Sequence, residues 1–88
     1  MRISEKKKEK IFEQILALLY EFNPKSLFTS QIAQEIARDE EFIKKLLLEL
    51  KKKNLVIEIK KTPQGKIYIR RSRWNLSDIT YKTYKNHQ

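Results

Sequence analysis

Basic side chains are concentrated in the second part of this 88-residue chain. Residues 1–50 carry nine basic and nine acidic side chains, whereas residues 51–88 carry eleven basic and two acidic ones, so the whole net charge of +9 lies in the second part. Lysine and arginine concentrated in this way attract polyanions, and their contacts with phosphates supply most sequence-independent binding to nucleic acid. A basic surface that served only solubility would mix both signs. The charge distribution therefore predicts a nucleic-acid partner.

The sequence carries no arrangement of side chains that is typical of catalysis or metal binding. It has no cysteine, which excludes disulfides, thiolate zinc sites and cysteine nucleophiles. Its one histidine, His87, lies among polar residues where we expect solvated chain. There is no glycine-rich phosphate loop, no His-Glu-x-x-His pair and no serine with a nearby base. We therefore expect a protein that is not an enzyme and that needs no cofactor or metal.

Two short helical patterns follow each other between residues 29 and 53, and we interpret them as a helix-turn-helix. The first is predicted at 30–37, with Thr29 or Ser30 as its cap, because a hydroxyl can accept a hydrogen bond from an unpaired backbone N–H. The second is predicted at 39–53, with the carboxylate of Asp39 as its cap. Only Ala37-Arg38 remains for the turn, so the two helices must cross steeply. The apolar stripes are Ile32, Ala33 and Ile36 in the first helix and Phe42, Ile43, Leu46, Leu47 and Leu50 in the second.

A β-hairpin is predicted at 55–76, where apolar and polar residues alternate on both sides of Pro63-Gln64-Gly65. Gly65 is the only glycine and stands where a positive φ is most needed. Trp74 and Leu76 are expected to return to the core and anchor the hairpin. The residues predicted to face inward are Leu55, Ile57 and Ile59 on one strand and Ile67 and Ile69 on the other.

A first helix is predicted at 4–22, with Ser4 as its cap and a broad apolar face. The face consists of Ile11, Ile15, Leu18, Leu19 and Phe22, widened by Phe12 and Leu16. Two interpretations of the extra width stay open. Either Ile11, Phe12 and Leu16 form a homodimer interface together with the C-terminal tail, or the hairpin strands and the tail cover them within one chain.

The C-terminal tail, residues 77–88, contains the pattern of one more short helix, capped by Ser77. Tyr81 and Tyr84 alternate with lysines, an arrangement that also suits stacking on a single-stranded nucleic acid. We expect these two rings to dock on the first helix instead.

The sequence resembles the winged helix-turn-helix family, in particular its small stand-alone archaeal members, over about residues 9–77. The matching segments are TSQIAQEI for the second helix, FIKKLLLELKKKNLV for the third helix running into the wing, and the wing ending in RRSRWNLS. The resemblance implies an α+β winged-helix fold in a single domain, 1–88, with a three-helix core, a β-hairpin wing and room for a short C-terminal helix. Arg38 and Asn54 stand where the family often has glycine, and asparagine tolerates the left-handed conformation.

The resemblance also implies binding to double-stranded DNA and regulation of transcription inside the cell, at the nucleoid. In this family the outward face of the third helix enters the major groove, and the wing reaches the backbone or the minor groove, where arginine gains from the negative potential. The outward residues are Glu41, Lys44, Lys45, Leu48, Glu49 and Lys52, of which Leu48 is either a thymine-methyl contact or part of a protein interface. The predicted DNA-binding residues are Ser30, Gln31, Gln34, Lys44, Lys45, Lys52, Lys60, Lys61, Lys66, Arg70, Arg71 and Arg73.

The acidic start of the third helix, Asp39-Glu40-Glu41, favours an alternative function. A winged helix can serve as a protein–protein interaction module in a transcription or RNA-processing complex, with this acidic end on the partner. RNA binding is a third interpretation. No apolar run approaches the length of a membrane span and the N-terminus lacks an apolar signal core, so we expect no membrane partner.

Overall fold

The computed structural model describes residues 5–60 and 72–86 of the chain. Within them, the three strands form one antiparallel sheet in the order β1-β3-β2, so the last strand in the sequence is the central one. The elements are α1 (Glu5–Phe22), β1 (Leu27–Phe28), α2 (Thr29–Ile36), α3 (Glu40–Lys52), β2 (Val56–Ile59), β3 (Arg73–Leu76) and α4 (Asp78–Asn86). The predictions for Ser4, for the turn at Pro63-Gln64-Gly65, and for Lys61, Lys66, Ile67, Ile69, Arg70, Arg71 and His87 lie outside the described residues.

Helix α1 is amphipathic, and its apolar face forms one wall of the core. Ile11, Ile15 and Leu19 follow each other at four-residue spacing and are buried, because residues four apart lie on the same face of a helix. Phe22, at the end of the helix, is more than a third exposed.

The face of α1 that was predicted for homodimer contact is covered within one chain. Ile11 and Leu16 are buried, with 2% and 9% of their surfaces exposed. Phe12 is half-buried, and the ammonium groups of Lys8 and Lys53 lie 5.7 and 5.1 Å from the centre of its ring. Folding of the single chain therefore already buries Ile11 and Leu16, and a homodimer through this face and the C-terminal tail stays a prediction.

Helix α2 begins one residue earlier than predicted, and neither hydroxyl caps it. Its N-cap is Phe28, whose backbone N–H donates to Oε1 of Gln31 at 2.9 Å. Thr29 lies inside the helix, and its hydroxyl accepts a hydrogen bond from the indole N–H of Trp74 at 2.8 Å. The predicted cap at Thr29 or Ser30 was wrong, because the indole of a strand distant in sequence uses the threonine hydroxyl.

The turn between α2 and α3 contains a left-handed residue. Ala37 has φ 60° and ψ 49°, and the backbone N–H groups of Ala37 and Arg38 donate to the carbonyls of Gln34 and Ala33. This pair of bonds is the Schellman arrangement that closes many helices. The predicted second helix, 30–37, therefore ends one residue earlier, with Ala37 in the turn.

Helix α3 has the cap and the buried stripe that its sequence predicts. The carboxylate of Asp39 accepts from the backbone N–H of Phe42 at 3.1 Å. The helix ends in a second Schellman pair, in which Asn54 has φ 63° and the N–H groups of Asn54 and Leu55 donate to the carbonyls of Lys51 and Leu50. The residues of α3 that are almost fully buried are Ile43, Leu46, Leu47 and Leu50.

Strands β2 and β3 pair antiparallel, as expected for a hairpin, but the inward face of β2 is displaced by one residue. Val56 is 2% exposed and Ile57 is 46% exposed, so the prediction that Ile57 faces inward was wrong. Leu55 packs against the core, as predicted, and Ile59 is half-buried. Side chains alternate along a strand, so Glu58 shares the side of Val56, where two donors satisfy its carboxylate.

Trp74 and Leu76 anchor β3 in the core, as predicted. Trp74 lies opposite Leu27 of β1 and opposite Glu58 of β2. Both anchors are buried, which fixes the central strand against α1 and the helix-turn-helix.

Helix α4 docks on α1 through aromatic rings, which confirms the interpretation of the tail. The ring centre of Tyr20 lies 5.6 Å from those of Tyr81 and Tyr84. The hydroxyl of Ser77 accepts from the backbone N–H of Thr80 at 3.3 Å and so caps the helix, as predicted. None of the helices in the described parts of the chain is long and apolar enough to cross a membrane.

Candidate nucleic-acid interface

The outer face of α3 is a lysine-rich surface with one apolar residue in it. Lys44, Lys45, Leu48 and Lys52 are exposed, because the buried stripe fixes the opposite side of the helix. Leu48 has 44% of its surface exposed. The prediction for the outward face of α3 therefore agrees with the structure at these four positions and at Glu41, which is also exposed.

Glu49 belongs to a different side of α3 from the one predicted. Its carboxylate accepts from the ammonium of Lys8 on α1 at 2.8 Å and is half-buried. The hydrogen bond to Glu49 raises the pKa of Lys8 above its ordinary value, with the charges of Glu49 and Glu5 acting in the same direction against a smaller opposing effect of burial. The negative charge of Glu49 is therefore matched by a cation of α1.

The N-terminal end of α3 is acidic. Asp39 caps the helix, and Glu40 and Glu41 are exposed in its first turn, where negative charge is favoured by the positive end of the helix dipole. The helix thus has an acidic first turn and a lysine-rich remainder, and a polyanion can approach only the latter without repulsion.

The predicted contact residues of α2 lie on its exposed side. Ser30 and Gln34 are exposed and four residues apart, which places them on one face of the helix. Gln31 is also exposed, but its side-chain oxygen is engaged by the backbone N–H of Phe28. This bond restricts the orientation of the Gln31 amide.

A buried carboxylate organises the base of the hairpin, and sequence reasoning missed it. Glu58 of β2 accepts from Lys51 Nζ at 2.8 Å and from the hydroxyl of Ser72, and Lys60 Nζ lies 3.9 Å away. Burial opposes ionisation of this carboxyl, but the hydrogen bonds from Lys51 and Ser72 and the charges of Lys51 and Lys60 outweigh it, so the pKa of Glu58 lies below its ordinary value. The carboxylate of β2 is thereby joined to α3 and to Ser72, the residue before β3.

Lys51 is the second residue of this cluster that was not singled out. It lies in the last turn of α3 beside Lys52, and its ion pair with Glu58 directs it toward the sheet. A glutamate within an otherwise basic and apolar strand was the available signal, because an unpaired inward carboxylate would be costly.

Arg73 occupies the central strand and packs on an aromatic ring. Its guanidinium carbon lies 4.7 Å from the ring centre of Phe28, the residue opposite it on β1. Arg73 is half-buried, whereas Lys60, which follows the β2 residue opposite Arg73, is exposed. The remaining predicted wing residues, Lys61, Lys66, Arg70 and Arg71, lie outside the described residues and stay predictions.

The described residues contain no group of three or more histidine, cysteine, aspartate or glutamate side chains placed to hold a metal ion. The arrangement that the structure does bring together is cationic: one helix face, its C-terminal turn and the adjacent end of β2. Such a surface can bind phosphates through lysine ammonium groups.

No protein-family model and no curated protein matches the sequence. Solved structures do match. A mutant of MepR from a multidrug-resistant S. aureus clinical isolate superposes with a TM-score of 0.66 at 24% identity, over 91% of this chain and 59% of that one.

Two further structures agree with the first. The PcaV transcriptional regulator from Streptomyces coelicolor, in complex with its natural ligand, has a TM-score of 0.65 at 17% identity over 94% of this chain and 51% of that one. The fold is a winged helix. Another mutant of S. aureus MepR, bound to an oligodeoxyribonucleotide, has a TM-score of 0.62 at 19% identity over 94% of this chain and 68% of that one.

The chain spans only 59% and 51% of the length of the first two of these proteins. What they share with it is the winged-helix part, in which α2 and α3 form the helix-turn-helix and β2 and β3 the paired strands of the wing.

Proposed function

We propose that this chain binds double-stranded DNA, with the lysine-rich face of α3 in the major groove and the wing on the phosphate backbone or in the minor groove. The observation that carries the proposal is the exposure of Lys44, Lys45 and Lys52 on the outer face of the second helix of a helix-turn-helix. A winged-helix structure bound to an oligodeoxyribonucleotide supports it by similarity of fold.

The dimensions of the interface suit a duplex. Helix α3 has 13 residues, or about 20 Å at 1.5 Å per residue, and the major groove is about 12 Å wide, enough to admit an α-helix. Because Glu40 and Glu41 repel phosphates, the C-terminal two-thirds of the helix would enter the groove. Lys60, which directly follows β2, would then approach the adjacent backbone.

Arg73 and the wing residues outside the described part would extend the contact. The ring of Phe28 orients the Arg73 guanidinium, which favours a fixed contact over a mobile one. Lys61, Lys66, Arg70 and Arg71 would add sequence-independent phosphate contacts, whereas Ser30, Gln31 and Gln34 of α2 would position the helix-turn-helix.

The biological role that we propose is regulation of transcription, within the cell and at the nucleoid. A protein of the same fold, PcaV, is a transcriptional regulator. DNA binding of this kind would be sequence-specific or semi-specific, since lysine on α3 can reach guanine edges as well as phosphates. We propose a binding protein and not an enzyme.

The proposal is tested by measuring the affinity for random-sequence duplex DNA by fluorescence anisotropy over a range of salt concentrations. If about six phosphates are neutralised, log K falls with log salt with a slope of about −5. Replacing Lys44 and Lys45 together by glutamine should lower the steepness by about 2. A slope near zero for the unmodified protein would contradict DNA binding through this surface.

A matched control comes from lysines outside the proposed surface. Lys10 and Lys25 are exposed, on α1 and after it, and replacing both by glutamine changes the net charge by the same amount. The slope of log K against log salt for this control should equal that of the unmodified protein within experimental error. If both double variants lowered the steepness of the salt dependence equally, net charge alone, and not the face of α3, would govern DNA binding.

The second candidate is a protein–protein interaction module. The exposed Glu40 and Glu41 favour it, since they would meet a basic partner. Binding to duplex DNA that is lost with the α3 lysines would decide against this function. Competition with tRNA in the same assay distinguishes RNA from DNA as the preferred polyanion.

A further inference from the structure

Leu48 lies at the centre of a ring of lysines on the outer face of α3. Residues three and four positions apart are neighbours on a helix surface, and at these distances from Leu48 the chain places Lys44, Lys45, Lys51 and Lys52. All four are exposed. An apolar side chain with 44% of its surface exposed therefore occupies the middle of a cationic patch.

Two ion pairs shape this ring. Lys51 is held toward β2 by Glu58, which leaves Lys44, Lys45 and Lys52 as the more outward cations. Glu49, the next residue after Leu48, is directed to Lys8 of α1. Glu41 is seven residues away from Leu48, about 10.5 Å along the helix axis at 1.5 Å per residue. The surface that immediately surrounds Leu48 is thus basic.

The chemistry of this patch suits one edge of one base pair. Lysines attract the phosphates that border the major groove. Within that groove most of the exposed base groups are hydrogen-bond donors or acceptors, and the 5-methyl group of thymine is the apolar one. The leucine side chain has no hydrogen-bond donor or acceptor, so the thymine methyl group is the base group against which its burial is favourable.

We propose that Leu48 contacts the 5-methyl group of thymine and thereby makes thymine the preferred base opposite the centre of α3. The inference rests on the proposed function, since it assumes that α3 enters the major groove. Leu48 would then be a residue that determines specificity, and thymine the base that it selects.

The experiment removes the methyl group from the DNA and the leucine from the protein. Two alternating duplexes of about 20 base pairs, two helical turns, are compared: one of adenine and thymine, the other with every thymine replaced by deoxyuridine, which lacks only the methyl. Affinities are measured for the unmodified protein and for Leu48→Ala. Because Leu48 is exposed, the variant should fold, which a thermal melt followed by circular dichroism checks.

The unmodified protein should bind the thymine duplex about fourfold more tightly than the deoxyuridine duplex, from about 0.8 kcal/mol per buried carbon and 1.4 kcal/mol per tenfold in affinity. Leu48→Ala should bind both duplexes alike, at the weaker level. A duplex with 5-methylcytosine in place of cytosine gives an independent check, since the added methyl occupies the same edge of the base and should raise affinity only when Leu48 is present.

Ile79→Ala is the matched control, because Ile79 is an apolar residue of α4 with 77% of its surface exposed. It should keep the full preference for thymine. Equal binding of the two duplexes by the unmodified protein, with the expected salt dependence, would overturn the inference and leave DNA binding intact. The same preference in Leu48→Ala would also overturn it. Failure to bind any duplex would overturn the inference and the proposed function together.

Discussion

The indole N–H of Trp74 donates to the hydroxyl of Thr29 at 2.8 Å, across 45 positions of the sequence. Trp74 is fully buried on the central strand, and Thr29 opens α2. This single bond therefore joins the wing sheet to the first helix of the helix-turn-helix. It also satisfies the one polar atom of a side chain that otherwise packs among apolar residues.

Thr29→Val should destabilise the fold by about 1–3 kcal/mol, the cost of leaving a buried donor without an acceptor. Valine has nearly the shape of threonine, so packing is preserved. Thr29→Ser retains the hydroxyl and should recover most of the loss. The free energy of unfolding is measured by urea denaturation.

Ser30→Ala is the control for this prediction. Ser30 is exposed and does not cap α2, so its substitution should change stability by less than about 0.5 kcal/mol. If Ser30→Ala destabilised the protein as much as Thr29→Val, the helix cap and not the indole bond would be the source of the effect.

Ala37→Gly should stabilise the protein. The left-handed conformation of Ala37 costs an L-residue roughly 1–2 kcal/mol, whereas glycine adopts it freely but loses about 0.5–1 kcal/mol through the greater freedom of the unfolded chain. A net gain of about 0.5–1 kcal/mol in the free energy of unfolding is expected from these values.

Ala33→Gly provides the comparison at a position with helical backbone. Ala33 is buried in the middle of α2, where glycine costs about 1 kcal/mol relative to alanine. Opposite signs for the two alanine-to-glycine changes would establish the role of the left-handed turn. Destabilisation by Ala37→Gly would show that the methyl group of Ala37 makes a contact worth more than its backbone cost.

The sequence predicts the helices of this fold better than it predicts which side of a strand faces inward. Apolar residues at helical spacing identify the buried stripe of α3 without ambiguity, and Asp39 stands directly before it. At the start of β2, by contrast, three consecutive apolar residues, Leu55–Ile57, fit either alternation. The choice depends on whether Glu58 can be paired, which is decided by Lys51 and Ser72 from other elements.

Long-range contacts also limited the prediction of the candidate site. Helical periodicity correctly predicts that Lys44, Lys45 and Leu48 are exposed, because their positions depend on a single helix. Periodicity cannot predict that Glu49 forms an ion pair with Lys8 or that Arg73 packs on Phe28. The residues of each pair are distant in sequence, and only the tertiary fold brings them together. The sequence thus indicates the charge of the site, whereas the tertiary structure sets the direction of each side chain.

Glu58 should make stability depend on pH. A carboxyl whose pKa is lower in the folded state contributes stability above its unfolded pKa, and the contribution is lost as the pH falls through the folded value. Glu58→Gln should therefore cost about 1–2 kcal/mol at pH 7, where it removes hydrogen bonds to a charged group. The difference from the unmodified protein should narrow as the pH is lowered from about 5 toward 3.

Urea denaturation at a series of pH values measures this difference. Glu35→Gln, which alters an exposed carboxylate of α2, controls for the loss of one negative charge and should run parallel to the unmodified protein. A constant gap between Glu58→Gln and the unmodified protein at all pH values would mean that Glu58 acts through packing and not through its charge.

Neutralising the acidic first turn of α3 should separate DNA binding from protein binding. Replacing Glu40 and Glu41 together by glutamine removes two charges that would repel phosphates at the N-terminal end of the outer face of α3. Affinity for duplex DNA should rise about twofold to fivefold at low salt, from an interaction of up to about 1 kcal/mol between charges in water. The gain should shrink near 0.1 M salt, where the screening length is about 10 Å.

Glu9→Gln with Glu13→Gln, on the exposed side of α1, matches the change in net charge and should raise affinity much less. If the α3 pair left DNA affinity unchanged, the acidic turn would lie away from the duplex, and its exposure would instead favour a protein partner at that end of the helix.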